Sequence, residues 1–384
     1  MNRPIYLDYC STTPCDPKVV EAMMPYFTEF YGNASSNDHY YGWLAKEAIE
    51  ISKEQIGDLL NCNIHDIFYT SGATEAINWA LKGLAKIGSP NKKHFITTQV
   101  EHSAVLETFK YLEDQGVAIS YLPVDQNGQL DLELLKASIR KDTIAICCMA
   151  ANNELGTIYP IDSISAIAKK NDLYFISDAT QAVGKIPVDL SLTNVDLLAL
   201  SSHKIYGPKG IGALIINNPV LRKSLPAFIH GGKQEAGKRS GTINVSGAVG
   251  FGKAAELCKI ELMKGQNKLS QFRDKLENAL LEIPGIIINA RKGKRLDHVS
   301  NITIENIDAE TLLLSLSKKL ALSRGSACSS IVQNPSHVLK AIGLEDNKAL
   351  NSIRISLGRF TTEEEVEQTI GLIREAVHKL QPSI

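Results

Sequence analysis

The chain has 384 residues, of which 44% are hydrophobic and 22% charged. At a prior of roughly 150 residues per domain, that length suggests more than one domain around a large buried core. Its 41 basic and 42 acidic side chains leave a formal net charge of −1, so composition gives no case for nucleic acid as a direct partner or for a basic membrane face. No apolar run approaches the roughly 20 residues of a membrane span. The start, MNRPIYLDYCSTTP, lacks the charged, apolar and small-residue zones of a secretory signal. The seven cysteines (10, 15, 62, 147, 148, 258 and 328) are an odd number without disulfide-framework spacing. A reduced, cytoplasmic compartment and small-molecule chemistry are therefore expected.

In chain order, Asp16-Pro17 reads as an N-cap followed by proline at the first helical position, with Val20, Met23, Met24 and Phe27 on one apolar face. Between residues 66 and 216 the runs IFYT, HFITT, AISYL, IAICCMA, LYFIS, VDLLAL and GALII read as buried strands. Helices are predicted between several of them, over residues 73–85 and 164–170 for example. This alternation predicts an α/β fold, a mostly parallel sheet covered by helices on both faces. After about residue 260 the pattern changes. An amphipathic helix carrying Leu269, Phe272, Leu276 and Leu280 leads to Pro284-Gly285, then to the strand-like HVSNITIEN and SIRISL. A last helix, capped near Thr361 or Thr362, has Glu363, Glu364 and Glu365 in its first turn and Val366, Ile370, Ile373, Val377 and Leu380 as its stripe. The expected division is a large domain over residues 16–260 and a smaller α+β domain formed by residues 1–15 with 261–384.

Four segments carry chemistry, each at the end of a predicted strand, where open α/β sheets place their ligands. In TSGATEAIN, residues 70–78, small residues turn a strand into a helix, which suits an anion at the helix N-terminus; an ordinary strand-to-helix turn has the same composition. In SDATQAVGK, residues 177–185, Asp178 arrives at the end of a buried strand, where a carboxylate needs a cationic or N–H partner. A protonated pyridine nitrogen would serve, with Gln181 within reach of the same ligand, although an N-cap aspartate is equally compatible. In SSHKIYGPKGIGAL, residues 201–214, Lys204 follows an apolar strand and precedes the Gly207-Pro208 turn, a setting suited to a Schiff-base lysine. Ser201 and His203 flank it as phosphate donors. In LSRGSACSS, residues 322–330, Cys328 stands among Gly, Ser and Ala, surroundings too polar for a core, with Arg324 near enough to favour a thiolate. Cys147-Cys148, inside an apolar strand, reads as core. With no HExxH and no CxxC, no metal site is expected.

Together these segments resemble the cysteine desulfurases of the NifS/IscS group, within the class V aminotransferase-like, pyridoxal-phosphate-dependent enzymes of fold type I. The resemblance runs nearly the whole chain. It starts at YLDYCSTTP and GNASSNDHYYG, continues through EHSAVL, NNELGTIYP and GGKQEAGKRSGTIN, and ends at SIRISLGRFTTEEE. It implies that Lys204 binds pyridoxal 5'-phosphate, that Asp178 pairs with the ring nitrogen, and that Gln181 contacts the ring hydroxyl. Ala73, Thr74, Ser201 and His203 match phosphate contacts, and Thr242 matches one donated by the second subunit of a homodimer. His102 matches the histidine stacked on the ring, which also moves protons. Asn153 and Arg354 match the residues that hold the substrate carboxylate, Arg354 being preferred to Arg359 because a guanidinium fork suits that task.

The activity implied is desulfuration of L-cysteine to L-alanine. Cys328, in a loop over about residues 322–336, takes the sulfur as a persulfide and passes it to an acceptor or Fe–S scaffold protein, for iron–sulfur cluster assembly or tRNA thiolation. A selenocysteine lyase, or another class V lyase or aminotransferase, is the alternative. Cys10 stands where alanine is common in the group, Ala34 where proline is frequent, and Arg324 where serine is frequent.

Overall fold

The computed structural model describes residues 3–88, 93–264, 268–324 and 334–381. Its strands, in chain order, are β1 (Ile5–Tyr6), β2 (Ile67–Thr70), β3 (His94–Thr98), β4 (Ala118–Leu122), β5 (Thr143–Cys147) and β6 (Tyr174–Asp178). They continue with β7 (Leu197–Ser201), β8 (Gly212–Ile216), β9 (Ile286–Ile288), β10 (Val299–Ile304), β11 (Leu320–Ala321) and β12 (Ser352–Ser356).

Each of the apolar runs predicted between residues 66 and 216 becomes a strand of one seven-stranded sheet, ordered β2-β8-β7-β6-β5-β3-β4. The β7–β6, β6–β5, β5–β3 and β3–β4 pairs are parallel, while β8 runs antiparallel to both its neighbours. The strands at the centre are buried on both faces, which is why their sequences are continuous apolar runs rather than alternations. Helices Ala73–Ile87 and Ser103–Glu113 pack Ile77, Trp79, Leu81, Val105 and Phe109 against one side of the sheet. On the other, helices Tyr40–Leu60, Ile161–Lys170 and Val245–Met263 contribute Ile56, Leu60, Ile164, Phe251 and Ala255 to a larger core. Each fully buried side chain of this size contributes about 1.5–3 kcal/mol.

A separate antiparallel sheet, β12-β10-β9, is covered by helices Lys268–Leu281, Ala309–Leu316 and Glu363–Leu380. The last helix starts on a complete capping box, Thr362 with Glu365, as its sequence predicts. The N-terminus joins this part of the molecule: β1 pairs with β11, and Leu7 enters its core. No described helix is long and apolar enough to cross a membrane.

One expectation needs correction. Asp16 and Pro17 do cap a helix, Pro17–Met23, but Met24-Pro25 interrupts it and Val19 is its buried residue. Val20, Met24 and Phe27 are instead 42%, 55% and 56% exposed. An apolar stripe in the sequence does not by itself fix that the chain buries it.

Candidate active site

The register around β8 builds the site. Thr70 and Ser201, the last residues of β2 and β7, both lie opposite Gly212, the first residue of β8. A Cβ at position 212 would come within 2.5 Å of the Leu200 carbonyl oxygen and 2.7 Å of the Gly72 Cα. Glycine is therefore required for this close approach. Asp178 ends β6 opposite Ala199 of β7, on the same sheet edge. A cavity of about 680 Å³ opens over that edge.

At one end of the cavity Gly72 begins helix Ala73–Ile87 without a side-chain cap, so the first N–H groups of the helix, those of Ala73 and Thr74 among them, and its dipole are left for an anion. Glu75 does not cancel that potential, because its carboxylate accepts from Arg239 at 2.8 Å and from the Ser71 N–H at 2.8 Å. Ser201 and His203 line the same end. His203 Nδ1 lies 3.0 Å from the Thr12 hydroxyl. Burial first, then the Lys204, Lys209 and Lys185 cations, pull its imidazole down to about 4, so the ring is neutral at physiological pH.

Lys204 leaves β7 on the turn Ser202–Lys204. Its Nζ donates to the carbonyl oxygens of Cys10 at 2.5 Å and Ser11 at 2.7 Å. Burial, foremost, pulls this amine down to about 8; Lys185 and Arg354 add to the effect, while Cys10 and Asp178 oppose it. Lys185 also donates to the Lys204 carbonyl oxygen at 3.1 Å, fixing the turn from behind. Asp178 is 7% exposed and accepts from the Thr180 N–H at 3.0 Å. Gln181 donates to the Cys10 carbonyl oxygen at 2.9 Å, and its buried Oε1 has no protein partner among the described residues.

His102 caps helix Ser103–Glu113: its Nδ1 accepts from the Ala104 N–H at 3.1 Å. The neutral ring therefore carries its proton on Nε2. Desolvation, the main cause, lowers its pKa; Lys204 and His337 also lower it, and Asp178 works the other way. Arg354 on β12 also lines the cavity and is only 2% exposed. It donates to the Asp8 carboxylate at 2.6 Å, the Ser11 hydroxyl at 2.7 Å and the Asn153 carbonyl oxygen at 2.9 Å. Burial disfavours its charge, but Cys10 and Asp8 outweigh that and raise its pKa. Arg359 faces elsewhere, paired with Asp16 at 2.9 Å and placed over the Tyr206 ring.

Ala73, Thr74, His102, Asn153, Asp178, Gln181, Ser201, His203, Lys204 and Arg354 thus line one cavity. Thr242 does not: it is exposed and outside this chain's pocket. Cys328 lies outside the described residues. Arg324, offered as its electrostatic partner, lies 3.6 Å from Glu310. Sequence reasoning assigned no part in the site to Asp8, Ser11, Thr12, Glu154, Lys185 or His337. The YLDYCSTTP and NNELGTIYP segments were the signal for some of them, but only the fold shows what they touch.

The chain belongs to the class-V aminotransferase family, which matches it over residues 5–369. It is 45% identical to the cysteine desulfurase IscS of Glaesserella parasuis serovar 5, over 99% of this chain and 94% of that protein. A cysteine desulfurase IscS of Shewanella sp. (strain ANA-3) is 43% identical with the same coverage. Among solved structures, a NifS-like protein superposes with a TM-score of 0.92 at 38% identity, covering 99% of this chain and 100% of that one. The structure of SspA in complex with cysteine gives 0.83 at 35%, covering 93% and 100%.

The family depends on pyridoxal phosphate, and the residues present fit it. An uncapped helix N-terminus with Ser201 suits a phosphate, Asp178 a protonated ring nitrogen, and the unpaired Gln181 Oε1 a ring hydroxyl. The lowered pKa of Lys204 suits condensation with an aldehyde.

Proposed function

We propose that this protein is a cysteine desulfurase, converting L-cysteine and an enzyme thiol into L-alanine and an enzyme persulfide. The observation that carries the reading is the meeting, in one cavity, of Lys204, Asp178, His102 and Arg354, in a chain similar over its length to curated cysteine desulfurases. When bound, pyridoxal phosphate supplies an aldehyde for the substrate amine and a ring that stores carbanion charge. The chain's own residues do the rest. Arg354 and Asn153 hold the substrate carboxylate in the cavity wall. Lys204, with an amine that deprotonates near pH 8, takes the substrate Cα proton. His102, in the cavity wall, donates from Nε2. Asp178 would pair with the ring nitrogen and keep it protonated.

Cys328 supplies the thiolate. Its sulfur forms a bond to the substrate sulfur as the substrate's Cβ–S bond breaks, so the sulfur leaves as persulfide and the carbon skeleton as alanine. The persulfide then feeds an acceptor or Fe–S scaffold protein, for iron–sulfur cluster assembly or tRNA thiolation. The similarity to proteins named IscS supports that destination.

We read the protein as a cytoplasmic homodimer. Support comes from the exposed apolar residues Val20, Met24, Phe27, Tyr31, Tyr40 and Trp43, and from Thr242 standing outside its own pocket. The proposed division into residues 16–260 and 1–15 with 261–384 is supported by the separate core around β10 and β12.

The purified protein should be yellow and should form alanine and, under reductant, sulfide in equal amounts from L-cysteine. Cys328→Ser should abolish sulfide release while retaining the cofactor's visible absorbance. Full sulfide release by that variant would overturn the role of Cys328. Turnover of selenocysteine alone would favour the lyase alternative.

A further inference from the structure

In and behind the cavity wall is a largely buried polar assembly that the desulfurase reaction leaves unused. Glu154, only 1% exposed, lies beside Asn153 in the cavity wall and accepts from the Ser336 hydroxyl at 2.6 Å. Ser336 is itself buried, and its Oγ caps helix His337–Ala341 by accepting from the N–H groups of Val338 at 3.1 Å and Leu339 at 3.3 Å. That double duty fixes the first residue of the helix, His337, which also lines the cavity. His337 Nε2 lies 3.0 Å from the carbonyl oxygen of Glu101. A carbonyl only accepts, so Nε2 carries a hydrogen and donates it. Glu101 immediately precedes His102 and is 0% exposed, its carboxyl group held by the Met149 N–H at 3.1 Å and the Thr98 hydroxyl at 2.8 Å.

We propose that His337 is a positioning residue of this reaction, holding the backbone in front of His102 through the Glu101 carbonyl and seated by the buried Glu154–Ser336 pair. His102 then has two anchors: its own cap on Ala104, and the peptide before it. Together they set where its ring, and the proton on Nε2, sit in the cavity. Placement within a fraction of an ångström governs proton-transfer rates. The same arrangement ties the segment carrying Asn153 to the helix carrying His337, so Asn153 and His102 share one support. Beyond burial, Asp178 raises the His102 titration and Lys204 and His337 lower it; Glu75 and Glu107 also lie in the cavities that His102 lines. His337 disfavours the protonated ring, so its loss should move the His102 titration to higher pH.

The inference rests on the desulfurase reading, and the test separates the two. His337→Ala in the cofactor-loaded protein should lower kcat for L-cysteine by about tenfold with KM changed little, and move the acidic limb of the pH–rate profile upward. His337→Gln restores an N–H at the position of Nε2 and should recover most of kcat, yet keep the shifted limb because it lacks the imidazole. His337→Phe, with ring volume but no donor, should behave as the alanine variant does. An NMR titration of the His102 ring in the parent and the His337→Ala variant gives the same comparison without turnover. Inactivity of the parent towards L-cysteine would sink the desulfurase reading and leave this titration standing. Equal kcat and an unmoved His102 titration in His337→Ala, or a glutamine variant no better than phenylalanine, would overturn the role of His337.

Discussion

Glu101 shows how far one buried group can be from its behaviour in water. Burial raises its carboxyl from 4.5 to about 8, against the Met149 N–H and the Thr98 hydroxyl, which favour the charged form. The folded chain therefore holds this proton more tightly than the unfolded one. Its contribution to stability is full below about pH 4.5 and is lost as pH rises through about 8. Glu101→Gln keeps an acceptor oxygen and removes the titration. The melting temperature of the variant relative to the parent should climb between pH 5 and pH 8, and a difference that stays flat across that range would refute the argument. Other residues were readable in advance. Lys204 and Asp178 declare themselves as charged groups at the ends of apolar runs, where burial without a partner is costly. Lys185 did not, because a lysine between glycine and isoleucine looks like any other until the fold sets its ammonium against the Lys204 carbonyl.

Among the elements, strands were legible to the extent that they are buried on both faces. Continuous runs such as LLALS and GALII admit few other readings once bounded by turn residues. Their order and direction were not legible. That β8 runs against its neighbours, so that Thr70 and Ser201 meet at Gly212, is a matter of pairing between distant segments. The element-level test is Gly212→Ala. Its methyl group has the Leu200 carbonyl and the Gly72 Cα to displace, at a cost of about 1–3 kcal/mol. Denaturant unfolding should report that loss, and dialysis should strip the cofactor faster because the Ser71–Thr74 turn moves. If stability and retention are both unchanged, the close approach does not shape the site. Helix Pro17–Met23 marks the other limit: its cap was readable from Asp16-Pro17, its outward apolar face was not.

For the whole molecule, the exposed residues between Val20 and Trp43 matter most. Phe27 and Trp43 are 56% and 55% exposed, and Tyr31 and Tyr41 stack with ring centroids 5.3 Å apart. Apolar surface of this kind is costly to leave in water and suits a self-complementary contact. Phe27→Glu should dissociate the proposed dimer at concentrations where the parent stays intact, as read by sedimentation. Because Thr242 is proposed to reach the partner's phosphate site, dissociation should also weaken cofactor retention. An intact Phe27→Glu dimer would place the interface elsewhere.

By itself the sequence determined the α/β class, the strand segments and the strand-end residues Asp178, Ser201 and Lys204 that line the cavity, because burial pattern and strand-end chemistry are local properties. Only the tertiary structure decided which distant groups complete the site. Arg354 meets the Asp8 carboxylate across 346 residues of chain, Lys204 meets the Cys10 carbonyl across 194, and His337 meets the Glu101 carbonyl across 236. Hydrogen-bond partners at that separation follow from how strands cross over and helices pack, and no local pattern encodes them.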